Sequence, residues 1–248
     1  KLNRGLDWAP NYDNTVENHE PKDSGILAEL VYGSEEDWKK HYNYLAQFFK
    51  DRRYIKKDNR PVFSVFQPRN DIDTLHKMAQ CWNELAKKDG FDGILFLSKD
   101  SIWPERMEVK MKYAPFAPTN WRVFLEYKMK DYVAKRKKCA GLFDYDKCWK
   151  NILTDAKRSK PDTYLCGFVR YDDTPRRGNK ARIVTNETVE KFKKYMKELL
   201  SISKEQNKEF VFLMAWNEWG EGAYLEPDTV DGESYLSALR DVIDEINR

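Results

Sequence analysis

Residues 61–98 read PVFSVFQPRN DIDTLHKMAQ CWNELAKKDG FDGILFLS, and this stretch decides the fold class. The apolar run between Pro61 and Pro68 has the length and aromatic, β-branched content of a buried strand. Asp71 then opens a segment in which Leu75, Met78, Ala79, Trp82, Leu85 and Ala86 fall on one helical stripe, and Gly90 ends it. A second apolar run follows at 92–98. Strand, helix and strand in so short a span make a βαβ unit with parallel strands and a right-handed crossover.

The same alternation extends outward on both sides. Upstream, Ser34 is placed to cap a helix carrying Trp38, Tyr42, Leu45 and Phe49 at helical spacing. Residues 1–33 are polar, hold Pro10 and Pro21, and read as irregular loop. Downstream, 101–143 is punctuated by Pro104, Pro115 and Pro118, with a fifth strand expected near 113–117. Residues 121–138 have helical periodicity through Trp121, Phe124, Leu125, Met129, Tyr132 and Val133, and end in KRKK, as the helix macrodipole prefers. Then come a helix at 144–156, a strand at 163–169 and a helix opened by Asn186 or Thr188. An apolar strand at 209–215 and a closing helix at 234–247 complete the chain. Such alternation specifies an α/β protein whose parallel sheet is covered by helices. No glycine-rich phosphate-binding pattern follows a strand, which removes the main support for a nucleotide-binding fold. A β/α barrel remains, although only four strands are clear.

Composition narrows the function classes. The chain has 248 residues, 41% hydrophobic and 14% aromatic, enough for a substantial core. Its 44 basic and 41 acidic side chains leave a net charge of only +3, so a dedicated nucleic-acid binder is not expected. No apolar run has the length of a membrane span. The three histidines form no zinc-binding pattern, and the four cysteines have no C-x-x-C spacing. Buried free thiols, no metal and no cofactor are the expectation. The thiols and the lack of a visible leader point to the cytoplasm.

The residues richest in chemistry are 216–228, WNEWGEGAYLEPD, directly after the strand at 209–215. Glu218, Glu221 and Glu226 stand among Trp216, Trp219 and Tyr224, with Asn217 between them. Two carboxylates three residues apart can converge on one substrate. In a half-buried cleft, desolvation and mutual repulsion raise the pKa of one, giving an acid beside a base, the pairing glycosidic cleavage needs. Indole faces suit the apolar faces of sugar rings. The plainer alternative is that the glutamates cap a short helix while the tryptophans fill core. A second block, 170–177 or RYDDTPRR, follows the strand at 163–169 and so lies on the same rim. Asp172 and Asp173 suit hydroxyls or a cation, and Arg176 and Arg177 suit an anionic group, against a plain Asp-Pro turn with a local ion pair. Gln67 to Arg69, Ser98 to Asp100 and Asp7-Trp8 are weaker rim candidates.

The 216–228 motif resembles the signature of the WbsX-type glycosyltransferases, a group similar to glycoside hydrolase family 99 and related to endo-α-mannosidases. The YDDTPRR block is similar to a second block of that group, which usually reads WDNTPRR. GSEEDW at 33–38, FKDRRYI at 49–55 and RPVF at 60–63 match in order. The resemblance implies a (β/α)8 barrel. It also implies that the chain carries strands four to eight of it within one catalytic domain, 1–248, because nothing here matches the group's N-terminal blocks. Carried over, Glu218 would be a base assisting through the sugar's 2-hydroxyl and Glu221 the acid/base on the glycosidic oxygen, with no metal. Tyr171 and Asp173 depart from the usual Trp and Asn of the block, and Met214 stands where Asn is common. The implied substrate is an oligosaccharide or polysaccharide, in surface polysaccharide or O-antigen assembly, by hydrolysis or by transfer. The alternatives are a retaining endo-glycosidase, a metal-dependent hydrolase built on Asp172, Asp173 and Glu218, and a non-catalytic glycan-binding protein or inactive fragment.

Overall fold

A computed structural model describes residues 32–65, 72–99, 109–111, 114–116 and 121–247. The fold is α/β. The described residues form two compact units, one up to Met111 and one beyond it, each with its own hydrophobic core.

In the first unit, helix α1 (Glu35–Phe49) starts in a capping box. Ser34 Oγ accepts from the Asp37 amide, and the Asp37 carboxylate accepts from the Ser34 amide at 2.9 Å. Trp38, Tyr42, Leu45 and Phe49 are buried, as their spacing requires. Strands β1 (Lys56–Lys57) and β2 (Arg60–Val65) form an antiparallel hairpin. Asp58 and Asn59 both take positive φ at its turn, a conformation these two residue types tolerate. Helix α2 (Ile72–Lys88) buries Leu75, Met78, Trp82 and Ala86. Strand β3 (Leu95–Lys99) then pairs parallel with β2, from Val62 opposite Leu95 to Val65 opposite Ser98. The expected parallel βαβ unit is present, and β4 (Val109–Met111) extends it in parallel. The strand expected near 113–117 is not there among the described residues. It lies earlier, at β4, and residues 114–116 are irregular. Trp82 centres this core, its ring 5.0 Å from Phe63 and its indole N–H donating to the Trp38 carbonyl.

The second unit begins with helix α3 (Trp121–Lys137) and strand β5 (Gly141–Asp144). Asp144 caps helix α4 (Tyr145–Ala156), which leads to β6 (Thr163–Phe168). The short helix α5 (Thr174–Arg177) precedes β7 (Arg182–Thr185). Helix α6 (Val189–Glu205), capped by Thr188, precedes β8 (Val211–Met214). A small hairpin of β9 (Asn217–Glu218) and β10 (Ala223–Tyr224) and helix α7 (Ser234–Asn247) complete it. β6 pairs parallel with β8, and β5 with β7. Trp149 stacks between Phe168 at 5.4 Å and Tyr195 at 5.6 Å. Gly167 faces this stack, and a Cβ there would lie 2.8 Å from Trp149.

Several expectations need correction. β5 and β7 are strands of four residues that the sequence hides inside longer helical and loop patterns. The helix at 121–137 forms, yet its apolar stripe is turned outward. Only Tyr127 and Ala134 are buried there. The thiols are all free, but only Cys148 and Cys166 are buried, with Cys81 intermediate and Cys139 exposed. Among the described residues no helix is long and apolar enough to cross a membrane. The loop expected at 1–33 lies almost wholly outside the described residues.

Candidate active site

Parallel pairing of β6 with β8 brings the two site blocks to the same end of the second unit. The chain leaves β6 at Phe168 into the block 170–177, and leaves β8 at Met214 into 216–228. Backbone contact locks the blocks together: the Asp172 amide donates to the Glu221 carbonyl at 2.8 Å. Gly222 makes this approach possible. Its φ is +53°, and a Cβ there would lie 2.9 Å from the Asp172 carbonyl oxygen. Only glycine combines that conformation with that clearance.

Glu221 sits on a single 3-10 turn (Trp219–Glu221) between β9 and β10. Its side chain is 14% exposed, and its carboxylate accepts from Arg176 Nη1 at 2.7 Å. Burial pushes its pKa above the usual carboxylate range. The charges of Glu218 and Asp173 push the same way, while Arg176 and Arg177 pull it back. A carboxyl of this kind keeps its proton to higher pH than a surface glutamate. Glu218, three residues earlier, is partly exposed at the end of β9.

Around this pair lies an aromatic platform. Trp219 stacks on Tyr224 at 3.8 Å and 17°, and its indole N–H donates to Glu226 at 2.8 Å. Trp216 and Trp219 are 52% and 47% exposed, unusual for indoles and suited to a flat ligand face. Asn217 is exposed beside them.

The second block divides by burial. Asp173 is 1% exposed. Its carboxylate accepts from the Arg182 amide at 2.6 Å, Tyr171 OH at 3.2 Å and Arg177 Nε at 3.1 Å. Tyr171 is also buried, its ring 4.9 Å from Phe116. Both side chains are thus committed to holding the block in place. Asp172 caps the turn by accepting from the Thr174 amide at 2.8 Å. Arg176 reaches Glu221, and Arg177 is half exposed. With Asp173 so engaged, the metal site imagined from Asp172, Asp173 and Glu218 does not assemble. Among the described residues no group of metal-ligating side chains does.

Arg170, given no role from sequence, supports the platform from below. Its guanidinium lies between the Tyr224 and Tyr235 rings, 4.8 Å and 4.5 Å from their centroids. It pairs with Asp231 at 2.7 Å and Asp228 at 3.4 Å, and Tyr224 OH donates to Asp228 at 2.8 Å. The available signal was an arginine at a strand's C-terminal end and two aspartates three apart in a later turn. Of the weaker candidates, Gln67 to Arg69, Asp100 and Asp7-Trp8 lie outside the described residues, and Ser98 is buried.

The family described as "Glycosyltransferase WbsX" matches residues 4–239. The chain belongs to the WbsX glycosyltransferase family. It is 23% identical over 207 residues to the "Uncharacterized protein WxcX" of Xanthomonas campestris pv. campestris strain B100, and equally to that of strain ATCC 33913. These matches cover 81% of this chain and 29% of each relative, so the chain spans under a third of their length. A solved "Glycoside hydrolase-like protein" shares the fold at a TM-score of 0.51 and 10% identity, over 83% of this chain and 60% of that one. A structure of the family 99 endo-alpha-mannosidase from Bacteroides thetaiotaomicron aligns at a TM-score of 0.48 and 16% identity, over 87% of this chain and 63% of that one. The family's own description, that of a glycosyltransferase, is one of carbohydrate-active proteins.

Proposed function

We propose that this WbsX-family chain acts on glycosidic bonds, with Glu221 as acid/base and Glu218 as the partnering carboxylate. The observation that carries this is the part-buried Glu221 carboxyl, its proton affinity raised by desolvation and by Glu218, beside the exposed indoles of Trp216 and Trp219. A carboxylic acid that holds its proton to higher pH than a surface glutamate can deliver that proton to the glycosidic oxygen as the bond breaks. Arg176 then stabilises the carboxylate left behind. Glu218 takes the proton from the attacking hydroxyl, whether the sugar's own 2-hydroxyl, water or an acceptor sugar. Trp216 and Trp219 present apolar faces to sugar rings, and Asn217 and Glu226 offer hydroxyl partners. Asp172 and Arg177 border the pair, with Tyr171 and Asp173 positioning them. No cofactor enters the scheme.

This reading takes the alternating strands and helices as sectors of a (β/α)8 barrel within one catalytic domain, 1–248. Both site blocks follow the C-terminal ends of their strands, where such barrels place their chemistry. The substrate class is an oligosaccharide or polysaccharide, in polysaccharide or O-antigen assembly, with a retaining endo-glycosidase as the alternative outcome of the same acid/base pair. The free thiols suit a cytoplasmic setting. One observation favours a second reading, a non-catalytic glycan-binding protein: the Arg176–Glu221 ion pair already occupies the proposed acid.

Turnover of aryl glycosides and mannan-type oligosaccharides, with and without an acceptor glycan, separates these readings. On any substrate the wild type turns over, Glu221→Gln is expected to lower kcat by roughly 100-fold or more. Unchanged turnover in that variant ends the catalytic assignment. New glycosidic linkages formed only with acceptor present identify transfer, and reducing ends formed without it identify hydrolysis.

A further inference from the structure

Helix α3 leaves most of its large apolar side chains outside the core. Trp121, Phe124, Leu125, Met129, Tyr132 and Val133 are between 45% and 67% exposed. Leu142 on the adjoining β5 is 59% exposed. Leu125, Met129, Val133 and Leu142 line a cavity of about 710 Å³ whose walls also carry Arg122, Lys130 and Lys137. A contiguous apolar surface of this kind marks an interaction site.

Charge says what sort of partner covers it. Residues 121–138 hold seven Lys or Arg and two acids, a surplus of five in a chain whose net charge is +3, so the remainder is net acidic. Both acids are engaged internally, Asp131 by Arg182 and Glu126 by Lys130. Among the described residues Lys135, Lys137 and Lys138 have no carboxylate partner. Cations flank rings directly: Lys128 lies 5.5 Å from the Phe124 ring centroid and Arg122 5.5 Å from that of Trp121.

We propose that the α3–β5 face docks on an anionic phospholipid surface. Tryptophan and tyrosine prefer the boundary between head groups and hydrocarbon, and lysines reach from apolar surface to lipid phosphates. Other occupants fit less well. Protein interfaces are depleted in lysine, which is abundant here. A second copy would oppose two surfaces of the same positive sign. Nucleic acid would meet the cations and leave the apolar groove uncovered.

Flotation of the purified chain with vesicles tests this. The vesicles are phosphatidylglycerol mixed with phosphatidylcholine, or phosphatidylcholine alone. The chain is expected to float with the anionic vesicles and not with the neutral ones. The floated fraction should fall about fivefold or more between roughly 50 mM and 500 mM salt. It should fall as far in Trp121→Ser/Met129→Ser and in Lys135→Glu/Lys137→Glu, whose side chains are exposed and whose melting temperatures should match the wild type. Absence of flotation at low salt, equal flotation with neutral vesicles, or retention by the Trp121/Met129 variant overturns the proposal. So does a concentration-dependent dimer that the same variant abolishes, which would make a second copy the occupant.

Discussion

Glu221 shows how one side chain is tuned by burial and by its charged neighbours. Burial and the Glu218 and Asp173 charges favour its neutral form, while Arg176 at 2.7 Å favours the charged one. The sign of the Arg176 effect yields a prediction. A general acid works while protonated, so activity falls as pH rises through its pKa. Arg176 holds that pKa down. Arg176→Met should therefore move the alkaline limb of the kcat/KM profile to higher pH, even as overall activity drops. An alkaline limb left where it was would show that Glu221 is not the titrating acid. Sequence made Glu218 and Glu221 visible through their crowding with indoles. It could not show Arg176 as the partner, because the two residues stand 45 positions apart.

At the scale of elements, the β9–β10 hairpin is what carries the glutamates onto the second block. Its closure depends on Gly222, so substitution there tests the geometry. Gly222→Ala adds a methyl 2.9 Å from the Asp172 oxygen and demands a positive φ of a non-glycine residue. Gly232 also has positive φ, but nothing lies within 4 Å of its Cβ position. Gly232→Ala should cost about 1 kcal/mol from backbone strain alone. Gly222→Ala should cost about 2–4 kcal/mol and also lower activity. Urea midpoints measure the difference, and equal costs would mean that the hairpin does not press on Asp172 as described. Element reading from sequence succeeded where period and punctuation agreed, as in α1 with its Ser34 cap and α2 with its stop at Gly90. It missed β5 and β7 because four residues give too few repeats of a two-residue period. It left the direction of α3 open, because a stripe's spacing records that a surface is apolar, not what covers it.

Across the whole molecule, the described chemistry is one of carboxylates and arginines. The chain has only three histidines, and Asp173 is sealed among Arg182, Tyr171 and Arg177. The acid/base mechanism proposed above calls on no metal, which chelation tests. Turnover after exhaustive chelation should stay within about twofold of the untreated protein, whereas a loss restored by a divalent cation would redirect the mechanism to metal-assisted hydrolysis. Parallel alternation, carried by the run from Pro61 to Ser98, was legible at this scale, and so was family membership through 216–228.

The amino-acid order alone determined the helices, the longer strands and the presence of two acidic groups beside indoles. These depend on interactions within a few residues, such as capping, glycine stops and the helical period. Tertiary structure alone decided that Arg176 reaches Glu221, that Asp173 is buried as a strut and that the α3 stripe faces outward. The first two outcomes follow from the pairing of β6 with β8 and of β5 with β7, and the third from the way α3 packs on β5; such contacts are fixed between distant segments rather than by any local preference.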